Sequence, residues 1–304
     1  MTTPYRGSTS PYSRQMLRAR QHLRISRDLF VPRPADGDVP NCLSDLTLDQ
    51  RVLAARELFP DAVLCGITAG LWLNLPVDDD GQVHLMRQLG AWHSERSGIT
   101  VHRGTLRDDE VFTSRGVRVT EGPRILADLA SGMDLEGLVA LGDPVLRRYG
   151  LREVHAAIVA GRPGVRLLRE AVPLLDGKAD SPPESRARLR LHAAGFTSLR
   201  HGVEITDQAG QWLATADLGD DVAKVALQHE GLIHFAKGEA QRQADAHRDA
   251  LSRLNGWKVV TSTSRDDKDQ ELLIEKVTHA YLEAALLRGP QVLPPHLQGR
   301  SLSL

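Results

Sequence analysis

Four polar side chains near the C-terminal third of the chain stand where a strand pattern would bring them together. Asp217 closes QWLATADL (211–218), Gln228 and Glu230 lie in AKVALQHEG (223–231), and His234 follows. Residues two apart in a strand face the same way, so Gln228 and Glu230 share a face. The GDD stretch (219–221) reads as a turn that pairs the two strands antiparallel and sets Asp217 beside one of them. Two carboxylates and an amide oxygen at one point suit Mg2+ or Mn2+. Mg2+ keeps several waters and binds substrate phosphate through one or two carboxylates. Such an ion lowers the pKa of a bound water and offsets charge developing on a phosphodiester. Three roles are open to His234 at the mouth of such a site: proton carrier, phosphate contact or ligand. The plainer reading of a lone histidine is a surface or satisfied core residue.

Glu184 has two readings as well. It can join the cluster from a preceding helix. Alternatively SPPE (181–184) is a capping box, with Ser181 as N-cap, proline at the first helical position and Glu184 three residues in; residue type alone favours the cap. Downstream, Asp245 and Arg248 are three apart on a helix, which suits a surface ion pair. Arg242 and Arg248 are the candidate phosphate contacts there. The run SRDDKDQE (264–271) reads as a solvated loop and helix start, where acids complement the dipole.

These groups need a scaffold, and the pattern supplies one. ESRARLRLHAAG (184–195) is a helix ending in glycine. RHGVEI (200–205), QWLATADL and AKVALQHEG form a three-strand meander with a turn at DQAG (207–210). EAQRQADAHRDALSRLNG (239–256) is a helix, WKVVTST (257–263) a strand and QELLIEKVTHAYLEAALL (270–287) a closing helix. The order αβββαβα implies a mixed sheet covered by helices. Upstream, 14–22 reads as a short helix and RISRDLFVP (24–32) as one strand closed by proline. LTLDQRVLAARELFP (46–60) is a helix capped by Thr47 or Asp49. Residues 61–77 are a short strand running into a buried helix. Strands follow at 82–86, 98–104 and 116–122, then helices at 123–131 and 135–150, the latter interrupted by Pro144, and more helix in 151–176. The polar, proline-bearing GKADSPP (177–183) is the expected boundary between two α/β domains.

The 304 residues carry a net charge of -1, so nucleic-acid affinity would need local clustering. Residues 1–33 hold seven arginines against Asp28 alone, a local net of +6. Arg24 and Arg27 belong to this stretch. It reads equally as an arm on phosphates or as a solvated tail. Two cysteines, Cys42 and Cys65, make neither a disulfide framework nor a zinc cage. No apolar run approaches the length of a membrane span, and the N-terminus has no apolar signal core, so a cytoplasmic location is expected.

Across 178–288 the pieces SPPESRARLRLHAAG, QWLATADL, KVALQHEG..H and DAHRDALSRLNGWKVV resemble the very-short-patch-repair-like endonuclease domain of the PD-(D/E)XK nuclease superfamily. That resemblance implies a restriction-endonuclease-like αβββαβ core and a Mg2+-dependent deoxyribonuclease. Its site pattern falls on Glu184, Asp217, Gln228, Glu230, Gly231, His234, Asp245, Gly256 and Trp257. Residues 20–175 resemble the region that follows the winged helix in type IV abortive-infection antitoxins and related regulators, carried by RISRDLFVP, AVLCGITAGLWLNLPV, ITVHRGTL and GVRVTEGPRILADLAS. Residues 1–23 are too short for a winged helix-turn-helix. The implied organisation is a basic mobile arm (1–23), an antitoxin/regulator-like α/β domain (24–176), a nuclease-like domain (177–290) and a tail (291–304).

Two departures bear on activity. Glutamine stands at 228 where the pattern has an acid, and Glu230 occupies the place of the usual lysine. Lys224 lies roughly 13 Å away along the strand, which leaves His234 or Lys237 to substitute. The expected function is a metal-dependent DNA endonuclease serving DNA repair or phage defence, with DNA as partner and a protein partner engaged through the N-terminal region. The alternative is a catalytically weak or inactive nuclease-fold DNA-binding regulator of antitoxin type. A third reading is a partner-binding protein whose polar cluster is a structural network.

Overall fold

The computed structural model describes residues 5–6, 22–26, 29–32, 42–89, 96–207, 209–230, 250 and 252–300. Of the first three segments only Phe30 is described as a side chain, and of Glu230 only the backbone. The architecture is mixed α/β, with sheets that combine parallel and antiparallel pairs. By internal packing the chain forms two units. One comprises Met1–Asp134 with Arg148–Val172, the other Leu135–Arg147 with Pro173–Leu304.

In the first unit, β1 (Tyr5–Arg6), β2 (His22–Ser26) and β3 (Leu29–Pro32) form an antiparallel sheet in the order β1-β3-β2. The single strand expected over 24–32 is therefore two strands paired antiparallel; alternation of apolar and polar residues does not show where one strand ends and the next begins. Tyr5 and Arg6 pair with Phe30 and Leu29, and the remainder of the basic arm lies outside the described residues. α1 (Leu48–Leu58) starts as expected at Thr47, whose hydroxyl accepts the Gln50 N–H at 3.4 Å. β4 (Val63–Leu64), α2 (Gly66–Trp72), β5 (Val83–Arg87), β6 (Ile99–Arg103), β7 (Val111–Ser114) and β8 (Val117–Thr120) follow. The sheet order is β6-β5-β4-β8-β7. β7 was not legible because VFTS is too short to show a period. α3 (Gly122–Leu129), α4 (Leu135–Tyr149), α5 (Leu151–Ala156) and α6 (Val165–Ala171) follow in sequence, of which α4 belongs, through Arg147, to the second unit. α4 passes through Pro144 without interruption. The missing N–H costs one intrahelical bond, and buried Leu138, Val139, Leu141 and Val145 hold the helix in place.

The second unit holds α7 (Pro182–Ala193), β9 (Arg200–Thr206), β10 (Trp212–Asp220), β11 (Val225–Glu230), β12 (Lys258–Thr263) and α8 (Gln270–Arg288). The sheet order is β12-β11-β10-β9, antiparallel except for the parallel β11/β12 pair. Most of the helix expected over 239–256 lies outside the described residues. Leu218, Val225, Leu227 and Val260 pack with Leu191 of α7 and Leu273, Val277 and Tyr281 of α8. Ile205, Ala216, Ala226 and Trp257 form a second cluster. Truncating fully buried Leu191 to alanine would cost about 2–5 kcal/mol through lost transfer energy and a cavity. Among the described residues no helix is long and apolar enough to cross a membrane.

Candidate functional site

The β10–β11 turn is built around Asp220. One carboxylate oxygen accepts the N–H groups of Val222 (3.0 Å) and Ala223 (2.9 Å), and the other accepts the Tyr281 hydroxyl (2.9 Å). From that turn the strands pair Asp220 with Val225, Gly219 with Ala226 and Leu218 with Leu227. Beyond this point side chains serve as ladder partners. The Asp217 carboxylate accepts the His229 N–H at 2.6 Å, and the Gln228 Nε2 donates to the Thr215 carbonyl at 2.9 Å.

On the other side of β10, Gly202 of β9 sits between the pairs Leu218–His201 and Ala216–Val203, so it faces Asp217. Its φ of 68° lies in the left-handed region, which is open to glycine and strained for most other residues. The alternation of faces breaks here too: Leu218 packs in one core cluster and Ala216, two residues away, in the other. Asp217 is thus the residue at which regular pairing stops toward β11 and bends toward β9. The antiparallel pairing expected from GDD is present, and it brings the Asp217 carboxylate to the backbone of the Gln228–Glu230 strand.

Burial pushes the Asp217 carboxyl up to about 6, against the pull of the His229 N–H, and the negative charges of Glu184 and Asp180 add to the rise. Glu184 is therefore near enough to act on Asp217, while its hydrogen bonds go to the segment that leads into α7. One carboxylate oxygen accepts the Ser181 hydroxyl at 2.7 Å and the other the Asp180 N–H at 2.9 Å. The expected box is not realised: the Ser181 side chain makes no cap bond to the helix backbone, and Glu184 takes the N–H of Asp180 rather than that of Ser181.

Gln228 donates from its amide nitrogen to β10, which leaves its amide oxygen as an uncharged acceptor or metal ligand. Lys224 has its ammonium 4.8 Å from the centre of the Trp257 ring, a placement that agrees with the reach argument against it. The backbone of Glu230 pairs with Thr263. The Glu230 side chain, His234, Lys237, Arg242, Asp245, Arg248 and Arg27 lie outside the described residues, as does the side chain of Arg24. Among the described residues, no three carboxylate, imidazole or thiolate groups come together closely enough to hold a metal ion. What Asp217 and its neighbours offer a cation is a half-buried carboxylate whose charge nearby acids oppose.

Three residues that the sequence reading passed over belong to this region. Asp180 contributes charge from the loop before α7. His229, between Gln228 and Glu230, faces Ser262 at 3.2 Å; a histidine in the polar half of a strand that opens Val-Ala-Leu was the available signal. His201 of β9 donates from Nδ1 to the Asp217 carbonyl at 2.9 Å.

No protein-family model matches the chain. It is 25% identical over 253 residues to the uncharacterized proteins Rv2248 and MT2308 of two Mycobacterium tuberculosis strains. The match covers 78% of this chain and 88% of each relative.

Proposed function

We propose that this chain is a metal-dependent DNA endonuclease built on a restriction-endonuclease-like core, with Asp217 at its centre. The observation that carries this reading is the placement of Asp217. Its carboxylate is half-buried, anchored by one backbone N–H, and has negative rather than positive charge beside it. A carboxylate in that setting gains from a cation. The helix, the meander, the parallel fourth strand and the closing helix agree with the resemblance in order.

Asp217 and Glu230, with the Gln228 amide oxygen and Glu184, would hold Mg2+ or Mn2+. When bound, the ion supplies an activated water and offsets the charge of the scissile phosphodiester. Asp217 fixes its own carboxylate through the His229 N–H. Gln228 ties β11 to β10 through the Thr215 carbonyl. His234 orients or deprotonates the attacking water, and Arg242, Arg248, Arg24 and Arg27 contact the DNA backbone. The first unit serves as a regulator-like region with a protein partner. The setting is cytoplasmic, in DNA repair or phage defence.

Cleavage of supercoiled, single-stranded and mismatched DNA in Mg2+ or Mn2+ tests this reading. Wild type should nick or linearise one of these, EDTA should stop it, and Asp217→Ala should lower the rate at least 100-fold. Equal cutting by Asp217→Ala would remove Asp217 from the site.

The commitment of Gln228 to the Thr215 carbonyl favours a second reading, a nuclease-fold DNA-binding regulator with weak or no catalysis. A neutral ligand that also braces the sheet holds a divalent ion less firmly than a carboxylate. DNA binding without cleavage in either metal selects this reading.

A further inference from the structure

Behind Asp217, on the side away from β11, lies a buried polar network that metal binding does not use. Asp143 of α4 is fully buried. One of its oxygens accepts the N–H groups of Asp176 (3.0 Å) and Gly177 (3.3 Å); the other accepts the Ser185 hydroxyl (2.7 Å) and lies 3.5 Å from Arg188 Nη2. Arg188 Nη2 also donates to the Leu174 carbonyl at 2.7 Å, and its Nε stands 3.4 Å from the Asp176 carboxylate. The same Asp176 oxygen is 3.6 Å from Nε2 of His201, whose side chain is 1% exposed.

Nδ1 of His201 is hydrogen-bonded to the main-chain carbonyl of Asp217. A carbonyl only accepts, so Nδ1 carries the proton. The other nitrogen is buried with no hydrogen-bond partner and faces the carboxylate of Asp176. A histidine whose one nitrogen holds the backbone of the central aspartate, and whose other faces a charge braced from two helices, is placed to set where that aspartate sits.

We propose that His201 is a positioning residue for Asp217, held in place by the Asp143–Arg188–Asp176 network. The proposal rests on the reading of Asp217 as the functional centre. His201 itself meets no substrate: its bond fixes the Asp217 main chain opposite Gly202, where regular pairing bends, and so fixes the carboxylate that turns to His229. The network explains why α4 and the 173–177 segment belong with the sheet of the second unit.

The test compares His201→Asn and His201→Gln in the full-length chain. Asparagine puts an amide N–H where Nδ1 stands; glutamine puts it where Nε2 stands. Both are polar and smaller than or similar to the imidazole, so circular dichroism should report a common fold. The readout is the titration of the Asp217 carboxyl, followed by carbon NMR on 13C-aspartate-labelled protein and assigned with Asp217→Asn. Asparagine should leave the titration where wild type has it, and glutamine should move it by about one unit. In a cleaving enzyme glutamine should also lower kcat by about tenfold with KM unchanged, and asparagine should restore it. Equal titrations in both variants, or a shift in Asn alone, would overturn the proposal. Should either variant unfold, Asp176→Asn replaces it, and an unmoved Asp217 titration there is the overturning result. A titration that responds as expected in a protein that cuts no DNA would retain the positioning role and reject the nuclease reading.

Discussion

Two carboxylates shielded from solvent to different degrees, Glu110 buried in one unit and Asp217 half-buried in the other, are treated in opposite ways. Glu110 of the first unit is 5% exposed. It accepts from Arg124 Nη1 at 2.8 Å, Arg162 Nη2 at 3.2 Å and the Arg107 N–H at 2.9 Å. Burial pushes its carboxyl up, but the Arg107 N–H and the guanidinium groups outweigh it and hold Glu110 below its ordinary value. Asp217 of the second unit has one backbone donor and two acidic neighbours, and its carboxyl rises to about 6. The first carboxylate is neutralised by the fold. The second is left with a deficit of positive charge that folding alone does not fill. Glu110 is completed by three arginines of its own chain, whereas Asp217 has no cationic side chain on its carboxylate among the described residues.

The sharpest break of this contrast is Arg124→Met. Arg124 is buried and also donates to Asp128 at 2.8 Å, so the change leaves two carboxylates short of their cation. Chemical denaturation should show a loss of about 3–5 kcal/mol. A loss below about 1 kcal/mol would mean that Glu110 does not depend on its partners.

Asp217→Asn should act in the other direction. In the folded chain the carboxyl is pushed up to about 6 from an ordinary value of 3.8, so the folded state holds its proton more tightly. Stability from this group is full below pH 4 and is lost as pH rises through 6. Asparagine can still accept the His229 N–H but carries no charge. It should raise stability by up to about 3 kcal/mol at pH 8 and leave it unchanged at pH 4. Thermal melts at the two pH values measure this directly, and equal shifts at both would sink the electrostatic account.

Tyr281→Phe should cost about 1–2 kcal/mol, because Asp220 keeps its two backbone donors and loses the hydroxyl. The smallest effect is expected from Glu184→Gln. Removing that charge should lower the Asp217 pKa, while the altered hydrogen bonds to the segment before α7 change stability by about 1 kcal/mol or less. An unmoved Asp217 titration would show that Glu184 exerts no influence on it.

Much of the second unit was legible because its signals are local. DQAG marks a turn, glycines at 195 and 256 end helical patterns, and GDD lies where β10 gives way to the turn at 221–224, although Gly219 and Asp220 are themselves paired strand residues. Asp217 could be singled out on that basis, and so could its closeness to the following strand. His201 could not, since it acts on a main-chain carbonyl sixteen residues away, and no side-chain pattern records which carbonyl a histidine will meet. The grouping of α4 escaped for a similar reason. Leu135–Tyr149 adjoins the first unit in sequence, but Asp143 binds groups at 176, 177 and 185, and packing assigns Leu135–Arg147 to the second unit.

That last feature governs how the C-terminal half can be excised. A fragment cut at Gly177, the boundary that composition suggests, would discard Asp143 and Asp176. The Ser185 hydroxyl, the Arg188 guanidinium and the outer nitrogen of His201 would then lose the carboxylates they face. A fragment opening at Leu135 carries those acids with it and is the shorter piece from which an intact Asp217 should be sought.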